Sequence, residues 1–407
     1  MLRTRYRAAI GGLPPVFWSL WWGVLVNRTA SFVGGFLALF LVQAHGFGDA
    51  AAGRVMALYG LGSMLGSLSG GVLADRVGRR FTMLGSLGAG ALTLFGIGFA
   101  QGAPLLAGLA FAQGVANGMY PPALNAAVAD AVPPAERGRA FGLVYWASNV
   151  GFGVGFALAA LVAPRSLAAL FLLDGATTLA FALLVAARVP ETRPTGAPEH
   201  AALSGLLRVA KDRVLLAFLG LQLVMLLVFT QWALVFPVDV AAHGVGRGGY
   251  AALMLMNCVG AVVLQPLVAP WLRRREPSRV LAVSALLIGG GFGLNALAGG
   301  LPVFAAGVAL WTVGEVLGLP TASALSADLA PVALRGRYQG AYVMTWGAAL
   351  TLSPLVSGEL AERTGAGTVW LACLAAGLLS AAGHLLAAGS RRRRVAALAA
   401  EHVPAAG

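Results

Sequence analysis

Apolar residues run along this chain in long blocks broken by short polar stretches. A bilayer crossing takes about 20 mostly apolar residues as a helix. Twelve blocks meet that length, at 16–43, 51–74, 81–101, 104–127, 140–163, 167–188, 214–241, 249–271, 280–299, 302–326, 338–360 and 367–389. Gly, Pro and charged residues mark the breaks between them. The first block is too long for a signal-peptide core and has no small-residue cleavage site, so it reads as a span. The pattern predicts an all-α polytopic membrane protein with twelve transmembrane helices and almost nothing outside the bilayer.

Composition agrees with that pattern. The 407 residues are 58% hydrophobic and only 11% charged, whereas a soluble domain carries about 25% charge. This excludes a soluble enzyme, a disordered chain and a nucleic-acid module. The net charge of +13 reflects where the arginines stand. Of the 28 Lys and Arg residues, all but Arg28, Arg54, Arg165, Arg247 and Arg363 fall at one set of loops and ends. That set includes Arg3, Arg5, Arg7, Arg76, Arg79, Arg80, Arg188, Arg193 and Arg391 to Arg394. The positive-inside rule places this side, with both termini, in the cytoplasm. Lys211 is the single lysine, and Ala and Gly abound, as in GC-rich bacterial genomes. The expected location is the bacterial inner membrane, multi-pass.

Little else suggests covalent chemistry. Cys258 and Cys373 lie in apolar runs without metal-like spacing. The histidines His45, His200, His243, His384 and His402 form no HExxH-type cluster, and there is no P-loop GxxxxGK[ST]. The reading is therefore no enzyme, no metal and no cofactor, with a proton gradient as the expected energy source.

The chain matches itself at an offset of 198. Ala44-His45-Gly46-Phe47-Gly48 matches Ala242-His243-Gly244-Val245-Gly246. Asp130…Pro133…Arg137-Gly138-Arg139…Gly142 matches Asp328…Pro331…Arg335-Gly336-Arg337…Gly340 in the same register. Two six-helix units follow, at 1–188 and 214–407, the second ending in a basic cytoplasmic tail. Residues 189–213, with Pro190, Pro194 and Pro198, form a cytoplasmic linker. Two parallel repeats are the design of a rocker with its site at the midplane.

Span 2 ends in Gly71-Val72-Leu73-Ala74-Asp75-Arg76-Val77-Gly78-Arg79-Arg80. This resembles the GxLaDrxGrk signature of the major facilitator superfamily, at the expected boundary between helices 2 and 3. Gly71 permits close helix approach. Asp75 can face a helix N-terminus, and the tight loop needs Gly78. The resemblance covers essentially the whole chain and implies that Asp75, Arg79 and Asp130 form a charge relay. That relay latches the two halves on the cytoplasmic side. Its repeat partner has decayed, since Asp75 maps to Arg273 and Gly78 to Glu276. Gly142, Gly151 and Gly155 in span 5 look like the glycines of the family's antiporter motif, although Phe156 replaces its Pro and Ala159-Ala160 its closing Gly pair. Small residues at such spacing also serve plain helix packing. In span 4, Gln113-Gly114 of another family motif is kept, but its Arg position is Ala110.

An intramembrane charge is expensive, so it is a functional candidate by default. Arg28, beside Asn27, lies near the middle of span 1. Glu315 lies near the middle of span 10, and Asp174 lies in span 6 nearer the outer end. Their repeat positions are Leu226, Asn117 and Ala372, so the bare scaffold does not need these charges. By resemblance, helices 1, 4, 7 and 10 line the cavity. Low dielectric favours the neutral form of a carboxylate, which lets it exchange a proton near neutral pH. Glu315 is the first candidate for proton coupling, followed by Arg28 and Asp174. Arg28 could instead be a static partner of Asp174 or Glu315. Glu359 and Glu362 read as solvated. Polar and aromatic candidates for the substrate cavity are Asn27, Asn117, Gln222, Gln231, Trp232, Asn257, Trp311 and Trp346. Trp18, Trp21 and Trp22 read as interfacial belt residues.

The expectation is a secondary active transporter working by alternating access. Its partners are a small-molecule substrate, protons and the lipid bilayer, and no nucleic acid. The family resemblance implies a monomer. The favoured mode is proton-coupled efflux of hydrophobic or amphipathic compounds, similar to the multidrug branch. Two other readings are a proton-coupled symporter importing a sugar, organic acid or peptide, and a non-transporting sensor or scaffold with a transporter fold.

Overall fold

The structure is a computed structural model that describes residues 12–31, 33–47, 49–163, 165–193, 202–233, 235–272 and 274–400. Arg3, Arg5, Arg7, Arg273, Pro194 and Pro198 lie outside the described residues.

The described residues are helical almost throughout, and the helices follow the apolar blocks. Span 1 is two helices, Pro15–Arg28 and Val33–His45. Spans 2 to 6 are Asp49–Arg76, Arg79–Phe99, Ala103–Ala131, Pro134–Val162 and Leu167–Arg188. Span 7 is Arg213–Phe229, a tight turn of helix at Thr230–Ala233, and Val235–Ala242. Spans 8 to 10 are Gly246–Leu272, Pro277–Leu294 with one further turn, and Leu301–Asp328. Span 11 is Arg335–Ser353, a widened turn at Pro354–Gly358 and Glu359–Thr364; span 12 is Ala366–Leu386.

Among the described residues, nine helices are long and apolar enough to cross a membrane. They correspond to spans 2, 3, 5 to 10 and 12. The two described helices of span 1 have 14 and 13 residues. Spans 4 and 11 carry polar residues such as Gln113, Asn117, Gln339 and Thr345.

The sequence pattern predicts continuous first spans in both halves, and the structure breaks both near mid-depth. In span 1, Thr29 turns its hydroxyl back onto the Val26 carbonyl (2.7 Å), and the Ala30 amide bonds Asn27 (3.3 Å). In span 7, Thr230 closes the helix against Leu227 in the same manner (3.2 Å). A Thr hydroxyl that competes for a backbone carbonyl bends or ends a helix.

Packing repeats with the sequence. Span 2 packs on 4, span 3 on 4 and 6, and span 1 on 5 and 6. Their counterparts pack alike: 8 on 10, 9 on 10 and 12, 7 on 11 and 12. Each half buries its own core, one around Phe17, Trp21, Tyr120 and Phe181, the other around Phe236, Phe292, Trp311 and Trp370. Spans 2 and 4 touch backbone to backbone, since a Cβ on Gly66 would meet the Val115 carbonyl oxygen at 2.2 Å. The halves meet where spans 2, 4 and 5 face 8, 10 and 11.

Two elements go beyond the apolar blocks. The linker carries a helix, Ala202–Lys211, whose Gly205 lies against the Arg337 guanidinium. The basic tail is a helix, Ala388–Ala400. Its Arg391 is buried against the Phe218 ring (5.4 Å) and bonds His384 Nδ1 (3.0 Å). Burial lowers the Arg391 guanidinium to about 10, with Glu276 acting the other way.

Candidate functional site: a gate and a mid-depth polar centre

The loops between spans 2–3, 4–5, 6–7, 8–9 and 10–11 share one end of the bundle, called here the basic end. Among the described residues, the ion pairs between the halves lie there. Asp75 points at the start of span 11, where its carboxylate accepts from the amides of Gly336 (2.7 Å) and Arg337 (3.0 Å). Those amides have no partner within their own helix, and the helix dipole favours a carboxylate there. The Arg337 guanidinium adds a contact at 3.3 Å. Gly71 makes the approach possible: a Cβ there would lie 2.4 Å from the Gly336 carbonyl oxygen.

The structure brings Asp75, Arg79 and Asp130 together. Arg79 Nε donates to Asp130 at 2.9 Å, and its Nη2 lies 3.6 Å from Asp75. The other Asp130 oxygen accepts from Arg335 of the second half, and Arg137 of the first half bonds Asp328. Gly78 takes the left-handed backbone (φ 124°) that the tight loop requires. Glu191, just past span 6, caps span 3 by accepting from the Arg79 (2.8 Å) and Arg80 (3.2 Å) amides. Arg76 is exposed, and the half-buried Arg80 donates to the Ala186 carbonyl (2.8 Å). The sequence reading marked Arg137, Asp328 and Arg335 as repeat signatures and missed their role in joining the halves.

Nearer mid-depth, Glu315 is buried at 2% exposure. Asn257 of span 8 donates to its carboxylate at 2.9 Å and to Thr312 Oγ1 at 2.9 Å. The Tyr145 hydroxyl of span 5 is hydrogen-bonded to the same carboxylate. Glu315 and Asn257 belong to the second half and Tyr145 to the first, so the carboxylate sits on the seam. Trp146 anchors that seam by donating to the Val262 carbonyl (2.7 Å). The sequence reading did not single out Tyr145, because one tyrosine in an apolar run carries no distinguishing signal.

The other intramembrane charges lie within the first half. Asp174 accepts from Thr178 (3.4 Å), whose hydroxyl in turn accepts from Asn27 (2.8 Å). They line a small polar cavity with Tyr59, Gln113, Asn117 and Tyr120. Asn117 donates to the Tyr59 hydroxyl at 2.9 Å. The cavity has about 30 Å³ of room for water centres, enough for roughly two waters and too little for an organic substrate. Arg28 reaches the Tyr120 hydroxyl (2.9 Å) from span 1 and lies over the Phe152 ring (5.3 Å). Among the described residues, Arg28 forms no ion pair with Glu315 or Asp174.

The remaining candidates are scattered. Gly151 and Gly155 face span 1; a Cβ on Gly151 would meet Arg28 Cβ at 2.4 Å. Gly142 faces the second half, where an added Cβ would lie 2.3 Å from Gln265 Nε2. Gln231 and Thr230 tie span 7 to Ser353 of span 11 (3.1 and 2.6 Å). Gln222 and Trp346 both bond the Tyr342 hydroxyl inside the second half. Trp232 is exposed, and its carbonyl accepts from Tyr250 (3.2 Å). Trp311 stacks on Phe292 (4.2 Å) in the core of the second half, away from the seam.

The sequence matches the Major Facilitator Superfamily family model over residues 20–354 and 233–405. The chain belongs to that superfamily and is a multi-pass membrane transporter, not an enzyme. It is 27% identical to the MFS-type transporter YttB of Bacillus subtilis, over 89% of this chain and 93% of that protein. It is 24% identical to a Na(+), Li(+), K(+)/H(+) antiporter of Planococcus maritimus, over 81% and 85% of the two chains. The fold is similar to the human organic anion transporter MFSD10, with a TM-score of 0.76 at 19% identity, covering 93% of this chain and all of that one.

Proposed function

We propose that this chain exports hydrophobic or amphipathic small molecules in exchange for protons, by rocking residues 1–188 against 214–407. The basic end is the cytoplasmic end, both termini are cytoplasmic, and the protein works as a monomer in the bacterial inner membrane. The closed basic end is then the outward-facing state. One observation carries the reading: Glu315, buried at mid-depth, is held by Tyr145 of the first half and Asn257 of the second. An ionised carboxylate makes charge-assisted bonds, roughly twice as strong as neutral ones. A proton arriving from outside discharges Glu315 and weakens its tie across the seam. That favours opening of the cytoplasmic latch. The antiporter of Planococcus maritimus, which aligns along most of the chain, supports proton exchange.

The test is accumulation of dyes and antibiotics in an efflux-deficient bacterium. Wild type, Glu315→Gln and Asp75→Asn are compared at equal membrane expression, with and without a protonophore. Lower accumulation with wild type alone, abolished by the protonophore, is the expected result. Equal accumulation across a broad panel would remove the export reading, and raised accumulation would indicate import.

A further inference from the structure

Arg28 stands in an unusual position. It lies near the midpoint of span 1, at the break before Val33, and is only half-buried. Its Nη2 is used by Tyr120, while its Nε is buried with no hydrogen-bond partner among the described residues. Its guanidinium lies 5.3 Å from the centre of the Phe152 ring. Phe152 falls on the same helical face as Asn149 and Tyr145, one and two turns away respectively. That face meets the second half, because Tyr145 bonds Glu315. Arg28 therefore borders the space between the halves, on the outer side of the Tyr145–Glu315 seam. Seven residues of helix separate Phe152 from Tyr145, about 10 Å along the axis.

A guanidinium at this depth is costly without a counter-charge. Asp174 is an acidic group of the same half, and the fields of both groups reach Tyr59. Yet Asp174 is engaged by Thr178 within the inner cavity, and among the described residues no ion pair joins it to Arg28. Guanidinium offers a planar fork that fits a carboxylate bidentately, and Phe152 beside it offers an apolar face.

We propose that Arg28 is a substrate-recognition residue and that the substrates are amphipathic organic anions, with the anionic group on Arg28 and the apolar body against Phe152. This rests on the transport reading above and narrows its substrate class. Glu315 bonds Tyr145, about two helical turns from the Phe152 that Arg28 overlies, so anion recognition and proton exchange use separate groups.

The test is binding to the purified full-length protein in detergent, which needs no transport. Three probes share one ring system: 1-naphthoate, 1-naphthamide and 1-naphthylmethylammonium. Wild type is expected to bind naphthoate roughly tenfold or more tightly than the amide, and the ammonium weakest, as fits a charged hydrogen-bonded pair. Arg28→Gln should erase the preference for naphthoate over naphthamide. Arg28→Lys should keep part of it, and Asp174→Asn should keep it. Equal binding of the three probes by wild type, or a preference for the ammonium, would overturn the proposal even if no Arg28 variant folds. So would an unchanged naphthoate preference in Arg28→Gln. Naphthoate binding without transport would leave this inference standing and remove the export reading instead.

Discussion

Asp328 is the repeat counterpart of Asp130, and each carboxylate holds an arginine of the opposite half: Asp130 binds Arg335 and Asp328 binds Arg137. The arginines are repeat counterparts too. The basic end is thus closed by two reciprocal ion pairs related by the pseudo-two-fold of the fold. Asp75 adds a third tie without a counterpart, because position 273 is an arginine. The lock is symmetric in its pairs and asymmetric in its helix-capping carboxylate.

Reciprocity predicts charge-swap rescue. Asp328→Arg alone leaves two arginines facing one another and should lower transport roughly tenfold or more. Breaking a buried pair costs about 3–5 kcal/mol. Asp328→Arg with Arg137→Asp should restore a large part of it, measured as efflux at equal expression. No recovery in the double variant would mean that the pair is incidental to the cycle.

Gly71 should control closure more than stability. Its would-be Cβ lies 2.4 Å from Gly336 of the other half, so Gly71→Leu should prevent the halves from meeting while each half stays packed. Ala74, fully buried beside it, reports closure. In an Ala74→Cys background, thiol alkylation should be roughly tenfold or more faster with Gly71→Leu, since a shift of about 1.4 kcal/mol changes the open population tenfold. An equal rate in both backgrounds would place the constraint elsewhere.

Gly66 should behave in the opposite way. Its contact with Val115 lies inside the first half, backbone against backbone at 2.2 Å for an added Cβ. Gly66→Leu should cost at least 1–3 kcal/mol of overpacking and lower the thermal unfolding midpoint. Gly60→Ala on the same span meets nothing within 4 Å and should leave the midpoint nearly unchanged. Equal midpoints for the two variants would contradict the close packing of spans 2 and 4.

Tyr145→Phe removes one hydroxyl from Glu315 and keeps the ring. A hydrogen bond to a charged group is worth about 1.5–3 kcal/mol. The variant should bind substrate but lose most substrate-driven proton movement. Proton release on substrate addition to purified protein measures this; release equal to wild type would take Tyr145 out of the coupling.

The parts of this architecture legible in the sequence are those with a one-dimensional signature. The apolar blocks place the helices because a span must be apolar over about 20 residues. The gate residues Asp75, Arg79 and Asp130 are readable because the Gly71–Arg80 stretch resembles the superfamily signature, and that resemblance implies their relay. Side-chain direction within a span is much less readable. A helix that is apolar on all sides has no hydrophobic stripe to orient it. Trp311 therefore looked like Trp346 as a cavity candidate, although Trp311 stacks on Phe292 in the core and Trp346 reaches Tyr342. For the same reason Tyr145 gave no sign of facing Glu315. The breaks at Thr29 and Thr230 were also hidden, since one threonine barely changes the hydropathy of a 28-residue block.

The most direct test of proton-coupled export uses everted membrane vesicles with an acidic interior. A compound whose cellular accumulation the protein lowers is added, and the pH gradient is followed by a fluorescent reporter. The account predicts that the compound dissipates the gradient in wild-type vesicles and leaves it intact in Glu315→Gln vesicles with equal protein. A gradient untouched by the compound in wild type, or equal dissipation in Glu315→Gln, would contradict it.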